Sequence, residues 1–225
     1  MPETLTIARR YRGPLDSANG GYAAGLLARR LGGPAEVTLR LPPPLDTPLS
    51  LVPDGERLLL LDGERLVAEA RAADPALDPP AAPAYEAVVA AGPGLPPGWG
   101  TVGFGECFSC GERPEADGLA IHPQPFDGLV AAAWVAREVS VEVVWAAIDC
   151  SGAYAVGEPG RGEPLLARMT ARVDRLPAEG ERCVVVGWPL GEDGRKLHAG
   201  TALVGADGRV AAVSRQLWIV PRGGG

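Results

Sequence analysis

The segment that decides the fold begins at Ser17 and ends at Gly33, and its sequence is SANGGYAAGLLARRLGG. Alanine and leucine recur in it at helical spacing, which predicts an apolar helix over residues 22–31. Ser17 precedes this run as a candidate N-terminal cap, and Gly32 follows it as a stop signal. We therefore expect a buried helix near the start of the chain.

Strand-like segments flank this predicted helix. One strand is expected before it, over Thr4–Tyr11, and three or four follow it as an antiparallel meander. Asp54-Gly55 and Asp62-Gly63 mark the hairpin turns of this meander. The strands after the helix are predicted at Glu36–Leu41, Leu49–Val52, Arg57–Leu61 and Arg65–Ala72.

The second half of the chain repeats this order of elements, and an apolar helix is predicted from Val141 to about Tyr154. The strands are predicted at Gly118–Ile121, Leu129–Trp134, Leu166–Val173, Cys183–Trp188, Lys196–Val204 and Val210–Val220, with turns at Asp193-Gly194 and Asp207-Gly208. One helix with one curled antiparallel sheet, twice over, predicts an α+β fold. The predicted units are residues 1–75 and 117–225, joined by a linker over 76–116 that is rich in Pro, Gly and Ala.

Composition and charge exclude several classes of protein. The net charge of −7 argues against nucleic acid as a partner, because phosphate backbones favour basic surfaces. No apolar run approaches about 18 residues and no charged segment precedes an apolar one at the start, so we expect a cytoplasmic protein without a membrane partner. Four cysteines are too few and too scattered for a disulfide scaffold. No Walker or dinucleotide fingerprint occurs, and no cofactor is expected.

Two segments resemble a known family. Asn19-Gly20-Gly21-Tyr22, followed by Ala and Leu at helical spacing, is similar to the first repeat of double hot dog acyl-CoA thioesterases. The strand from Val210 to Gln216 resembles the closing strand of that family, and the similarity covers about residues 4–73 and 118–220. The resemblance implies two tandem hot dog repeats, each a helix wrapped by a curled antiparallel sheet. It also implies an acyl-CoA or acyl-carrier thioester as substrate, and a homodimer of such chains.

The resemblance also implies a set of catalytic residues. In that family the second repeat supplies an acid on its helix, a hydroxyl on the next strand and a glutamine on the last strand. Asp149 and Gln216 match the acid and the glutamine by element and order. The hydroxyl position falls on Leu166, and Thr170 lies further along the same predicted strand face. The implied catalytic residues are therefore Asp149, Gln216 and Thr170.

The chemistry of these side chains fits thioester hydrolysis. Asp149 follows the apolar run Val144–Ile148, where burial is expected to raise its pKa and let it act as a general base. A carboxylate that only caps a loop is the alternative. Gln216 shares a strand face with apolar residues, so its amide either orients a water molecule or makes a structural hydrogen bond.

Asn19, Gly20 and Gly21 lie at the predicted start of the first helix. Unpaired backbone N–H groups there favour negative charge, so one of them is a candidate donor to the substrate carbonyl. We therefore predict these three residues as substrate-binding. Simple capping, with glycines that allow close packing, is equally consistent with the sequence.

Two further groups of residues have ordinary structural explanations. Cys107 and Cys110 form a single CxxC motif, and zinc would need two more ligands, so packed thiols are favoured and no metal is expected. Six arginines are candidate contacts for coenzyme A phosphates, although arginines that alternate on a strand are typical of a solvated face. They are Arg9, Arg10, Arg12, Arg168, Arg172 and Arg175.

The prediction is hydrolysis of an acyl-CoA-type thioester to a free acid and a thiol. Two alternatives stay open, since one fold hosts several functions. A hydratase-like enzyme would need a histidine five residues after the aspartate, where this sequence has Tyr154. A non-catalytic module that binds acyl thioesters is favoured by Leu166 at the hydroxyl position.

Overall fold

The chain folds around one continuous antiparallel sheet. The computed structural model describes residues 3–14, 16–92, 105–114, 117–158 and 162–222. The strands within these ranges are β1 Glu3–Leu5, β2 Ala35–Leu39, β3 Leu49–Asp54, β4 Arg57–Asp62, β5 Arg65–Ala72, β6 Gln124–Phe126, β7 Leu129–Val135, β8 Leu165–Val173, β9 Arg182–Asp193, β10 Lys196–Gly205 and β11 Val210–Ile219. The helices are α1 Gly20–Leu31, α2 Tyr85–Ala91, α3 Val141–Ala147 and α4 Cys150–Val156.

The order of the strands keeps the two halves of the chain apart. It is β1-β3-β4-β5-β2-β8-β11-β10-β9-β7-β6, so β1–β5 form one side of the sheet and β6–β11 the other. The halves join where Ala35–Thr38 of β2 pairs antiparallel with Arg168–Ala171 of β8. The predicted α+β architecture, with one meander in each half, is confirmed.

Hairpin turns form where the Asp-Gly pairs predict them. Gly55, Gly63, Gly194 and Gly208 have φ angles of 61°, 60°, 58° and 77°. This left-handed region carries no steric cost for glycine, whereas a side chain would be strained there. The turns join β3 to β4, β4 to β5, β9 to β10 and β10 to β11.

Helix α1 packs closely against α3. A methyl group at Gly25 would lie 2.5 Å from the Cα atom of Glu142, so glycine lets the two backbones approach. The predicted N-terminal cap at Ser17 is wrong: the cap is Asn19, whose side chain accepts a hydrogen bond from the Tyr22 N–H. Ser17 instead donates its hydroxyl hydrogen to the Pro14 carbonyl, within the turn that precedes the helix. Gly32 ends the helix as predicted, with φ of 75°.

The second predicted helix, Val141 to Tyr154, is wrong as a single element. It is split into α3 and α4 at Ile148 and Asp149. In an unbroken helix the Gly152 N–H would bond to the Ile148 carbonyl, but it bonds to the Asp149 carbonyl, at 3.1 Å. Instead, the side chains of Thr201 and Gln216 donate hydrogen bonds to the Ile148 carbonyl, each at 2.7 Å. The sheet therefore breaks the helix at the predicted catalytic acid.

Two more predictions of elements need correction. The strand at Thr4–Tyr11 is limited to β1, and a single 3-10 turn follows at Arg9–Tyr11. Residues Gly118–Ile121 form no strand, because Leu119 and Ile121 donate their N–H groups to Phe108 and Ser109 of a neighbouring loop. The predicted linker contains α2, and its Pro- and Gly-rich stretch over 93–98 lies outside the described residues. No helix in the described ranges is both long and apolar enough to cross a membrane.

Candidate active site

An apolar cavity of about 210 Å³ lies between the start of α1, the break between α3 and α4, and the ends of β8 and β11. Most of the side chains around it are apolar, and Asn19, Asp149 and Arg40 bring polar groups. The residues around it are Pro14, Ser17, Ala18, Asn19, Gly20, Leu39, Arg40, Leu41, Pro42, Pro43, Cys107, Asp149, Cys150, Pro164, Leu165, Leu166, Ala167, Trp218 and Ile219. Both halves of the chain contribute to this cavity, which has the composition of a small-molecule site.

Asp149 is the carboxylate of this cavity, and it is only 2% exposed. Its Oδ2 atom accepts hydrogen bonds from the Asn19 side-chain amide at 3.0 Å and from the Gly21 N–H at 2.9 Å. Its Oδ1 atom is buried and has no hydrogen-bond partner among the described residues. A buried carboxylate oxygen costs free energy unless a polar group meets it, so Oδ1 is suited to hold a water molecule or a substrate group.

The environment of Asp149 also changes its acidity. Burial raises the pKa of Asp149 to about 7, because the charged form loses its hydration. The hydrogen bonds from Gly21 and Asn19 act in the opposite direction, since both favour the carboxylate. Burial outweighs these bonds, as the sequence predicts for an acid that follows an apolar run.

The start of α1 is built around this carboxylate. Asn19 caps the helix with its Oδ1 atom and donates to Asp149 with its amide nitrogen, so one side chain serves both halves of the chain. A methyl group at Gly21 would lie 2.6 Å from the Trp145 carbonyl oxygen and 2.7 Å from the Asp149 Cβ atom. Only glycine therefore lets this N–H reach the acid. The structure brings Asn19, Gly20 and Gly21 together with Asp149.

Gly20 offers the remaining donor at this helix start. Gly20 borders the cavity, and its N–H donates to no acceptor within the described part of the chain. The Gly21 N–H, by contrast, is used by Asp149, and the Tyr22 N–H is used by Asn19. The Gly20 N–H is therefore a candidate donor to a carbonyl oxygen.

Gln216 lies behind the site rather than in the cavity. Its Nε2 atom donates to the Ile148 carbonyl at 2.7 Å and contacts the hydroxyls of Thr201 and Ser214. Its Oε1 atom accepts from the Trp218 indole N–H at 2.8 Å. The amide is thus fully satisfied, and no direct hydrogen bond joins it to Asp149 in the described residues. Gln216 acts on the site by fixing the peptide unit that precedes Asp149.

We expect Gln216→Leu to lower kcat by roughly 10-fold without changing KM, because Asp149 would shift while the cavity wall stays intact. The variant should also lose about 2 kcal/mol of unfolding free energy, since the Ile148 carbonyl and the Trp218 N–H lose a buried partner. Gln124→Leu is the matched control: this buried glutamine donates to the Val88 carbonyl, away from the cavity. Steady-state kinetics and denaturant unfolding measure both effects. Equal losses of kcat in the two variants would refute a positioning role for Gln216.

Thr170 points away from the cavity. It pairs with Arg215 on β11, and its hydroxyl contacts Glu36 at 3.4 Å. The register shows why: Gln216 pairs with Met169 and Leu217 with Arg168, but Trp218 pairs with Leu166, so Ala167 is an extra residue in β8. This bulge reverses the alternation of faces along the strand. Leu166 borders the cavity, whereas Thr170 lies on the outer face of the sheet.

We expect Thr170→Val to leave hydrolysis unchanged, because no atom of Thr170 borders the cavity. The measurement is kcat/KM on the best thioester substrate of the wild-type chain. A loss comparable to that of an Asp149 variant would show that the hydroxyl reaches the reacting atoms after all.

The six arginines predicted as phosphate contacts lie outside the residues that border the cavity. Each of them has a carboxylate neighbour, which is typical of a solvated face. The pairs are Arg9 with Asp16, Arg10 with Glu138, Arg12 with Glu106, Arg168 with Glu36, Arg172 with Asp74 and Arg175 with Glu181. Arg40, which no pattern in the sequence singles out, borders the cavity and pairs with Glu69.

Three thiols lie beside the acid. The sulfur atoms of Cys107, Cys110 and Cys150 all lie within 4.8 Å of one another, and those of Cys107 and Cys150 are 3.7 Å apart. The Asn19 amide also contacts the Cys107 sulfur, at 3.5 Å. Hydrogen bonds from Cys110 and Cys150 lower the pKa of Cys107. The pKa values of Cys110 and Cys150 are raised, because each donates to Cys107 and is buried.

Known proteins resemble this chain in structure rather than in sequence. No family model matches it, and neither does any curated protein. A provisionally assigned thioesterase from Novosphingobium aromaticivorans shares 13% identity with a TM-score of 0.65, covering 97% of this chain and 95% of its own. A protein from Alicyclobacillus acidocaldarius, described as having a hot dog fold and unknown function, shares 13% identity with a TM-score of 0.60, covering 97% and 92%.

A third solved structure extends over the same length. Acyl-CoA thioesterase II TesB2 from Mycobacterium marinum shares 9% identity with a TM-score of 0.58, covering 98% of this chain and 94% of its own. Identities this low show only a shared fold, so the chemistry has to be argued from the residues of the site. The match runs through both halves of the chain, each with its helix and its part of the antiparallel sheet. The chain therefore has the double hot dog fold.

Proposed function

We propose that this protein hydrolyses acyl thioesters, with Asp149 as the general base. One observation carries the proposal: a buried carboxylate holds one oxygen on two fixed donors and leaves the other without a partner at an apolar cavity. The two donors fix the orientation of the carboxylate, so its Oδ1 atom can hold a water molecule in a constant position.

The reaction needs three parts, and each has a candidate group. The acyl chain fills the apolar cavity, where Leu39, Leu166 and Ile219 exclude water from it. The thioester carbonyl oxygen accepts a hydrogen bond from the Gly20 N–H, which becomes stronger as negative charge develops on that oxygen. Asp149 Oδ1 accepts the proton of the attacking water.

The reaction then needs no reactant other than the thioester and water. The water oxygen forms a bond to the carbonyl carbon, its proton passes to Asp149, and the carbon–sulfur bond breaks. The leaving thiolate takes up that proton, which restores the carboxylate and gives a free acid and a thiol. Gln216 touches none of the reacting atoms and contributes by holding the Ile148 carbonyl.

The name of the Mycobacterium marinum structure favours an acyl-CoA as the thioester. An acyl-carrier protein presents the same thioester bond, and both satisfy the geometry of the cavity. A hydratase finds less support in the site, because neither His122 nor His198 is among the residues that border the cavity.

A chain-length series of acyl-CoAs tests the proposal. Free thiol is measured with a chromogenic thiol reagent, and binding is measured separately by calorimetry. We expect thiol release above the uncatalysed rate, with an optimum where the acyl chain fills the cavity. Binding without thiol release over the whole series would refute hydrolysis and identify the protein as a non-catalytic acyl-thioester-binding module.

A further inference from the structure

The cluster of three thiols has no part in the proposed hydrolysis. Cys107 and Cys110 come from the loop after the linker, and Cys150 comes from the first residue of α4. All three are buried. The sequence could not show this cluster, because the third cysteine lies 40 or more residues from the first two and outside any motif.

The loop that carries the CxxC motif is a tight turn. The Gly111 N–H donates to the Cys107 carbonyl at 2.8 Å, and a methyl group at Gly111 would lie 2.5 Å from that carbonyl oxygen. The Asn19 side-chain amide also points a donor at the Cys107 sulfur, at 3.5 Å. Such donors stabilise a thiolate, which is the form of cysteine that binds metals.

The spacing of the sulfurs matches a tetrahedral thiolate site. A zinc–sulfur bond of about 2.3 Å and a tetrahedral angle place two sulfur ligands about 3.8 Å apart. Cys107 and Cys150 are 3.7 Å apart, and Cys110 lies within 4.8 Å of both. Small rotations of one side chain would complete a three-sulfur face around a single ion. Thiolate ligands select zinc over magnesium or calcium, which prefer oxygen.

We propose that Cys107, Cys110 and Cys150 bind a zinc ion as three thiolates. Cys107 and Cys150 also border the apolar cavity. Binding releases the thiol protons to solvent, and the three thiolates with one zinc ion leave a single negative charge. The Asn19 amide, which donates to the Cys107 sulfur, offsets part of that charge. This site shares the Asn19 amide and part of the cavity wall with the proposed active site, but metal content tests it separately from hydrolysis.

Metal content tests the proposal on the full chain. The protein is purified with a non-chelating phosphine to keep its thiols reduced, loaded with Zn²⁺, desalted and submitted to elemental analysis. We expect a stoichiometry of one zinc per chain. Exchange for Co²⁺ should give a thiolate-to-cobalt charge-transfer band in the near ultraviolet. Reduced thiols with neither bound zinc nor this band would overturn the proposal.

Serine variants identify the ligands. We expect Cys107→Ser, Cys110→Ser and Cys150→Ser each to weaken zinc binding by roughly 100-fold or more and to lose the cobalt band. Cys183→Ser is the matched control, since this buried thiol lies on β9 outside the cluster. Circular dichroism shows whether each variant is folded, and the wild-type cobalt titration needs no substitution. Unchanged binding in the three variants, or equal loss in Cys183→Ser, would also overturn the proposal.

Discussion

Asp149→Asn is expected to lower kcat by roughly 100-fold or more while thioester affinity stays close to that of the wild type. The amide has almost the same shape as the carboxylate, so its oxygen can still accept from Asn19 and Gly21. It cannot take up a proton from water, and the base is lost while the cavity is kept. Single-turnover thiol release measures the rate, and calorimetry with a non-hydrolysable thioether analogue measures affinity.

Asp193→Asn is the control for this substitution, because Asp193 is the exposed last residue of β9 and lies beside Lys196. It should retain full activity. Wild-type turnover in Asp149→Asn would remove the carboxylate mechanism and leave the fold unaffected. Loss of both affinity and rate would instead show that Asp149 has a structural role at the start of α1.

Gly25→Ala is expected to lower the free energy of unfolding by about 3 kcal/mol. The added methyl group would lie 2.5 Å from the Cα atom of Glu142 and 2.9 Å from the Cβ atom of Trp145, so α1 and α3 would have to separate. Backbone atoms cannot rotate aside as a flexible side chain can. Guanidinium unfolding followed by tryptophan fluorescence measures the change.

Gly33→Ala is the matched control, because a methyl group there meets no atom within 4 Å. Its unfolding free energy should stay near that of the wild type. A Gly25→Ala variant as stable as Gly33→Ala would mean that the close approach of α1 and α3 is not required for the packing of the two halves.

Most of the strands and the four Asp-Gly turns could be predicted from the sequence because their causes are local. An Asp-Gly pair fixes a hairpin through the backbone freedom of one glycine, as Gly55 and Gly194 show. Apolar residues at helical spacing likewise predicted the body of α1. Asp149 and Asn19 could be selected because a lone acid after an apolar run and a polar residue at a helix start are visible in a short window.

The remaining features depend on contacts between distant residues. The break at Ile148 is made by Thr201 and Gln216, which lie 53 and 68 residues further along the chain. The bulge at Ala167 turns Thr170 outward, and nothing in the local pattern of β8 marks it. Gln216 was identified by its position on the last strand, but its partner could only be found from the structure.

The junction of the two halves has a consequence for symmetry. Asn19, Gly20 and Gly21 come from the first half and Asp149 from the second, so each half supplies what the other lacks. Two identical subunits related by a twofold axis would form two identical sites. The two halves of a single chain can differ in sequence, and α1 carries no acidic residue to match Asp149. Covalent linkage thus allows one half to supply the donors and the other half the carboxylate, and neither half has to carry a complete site.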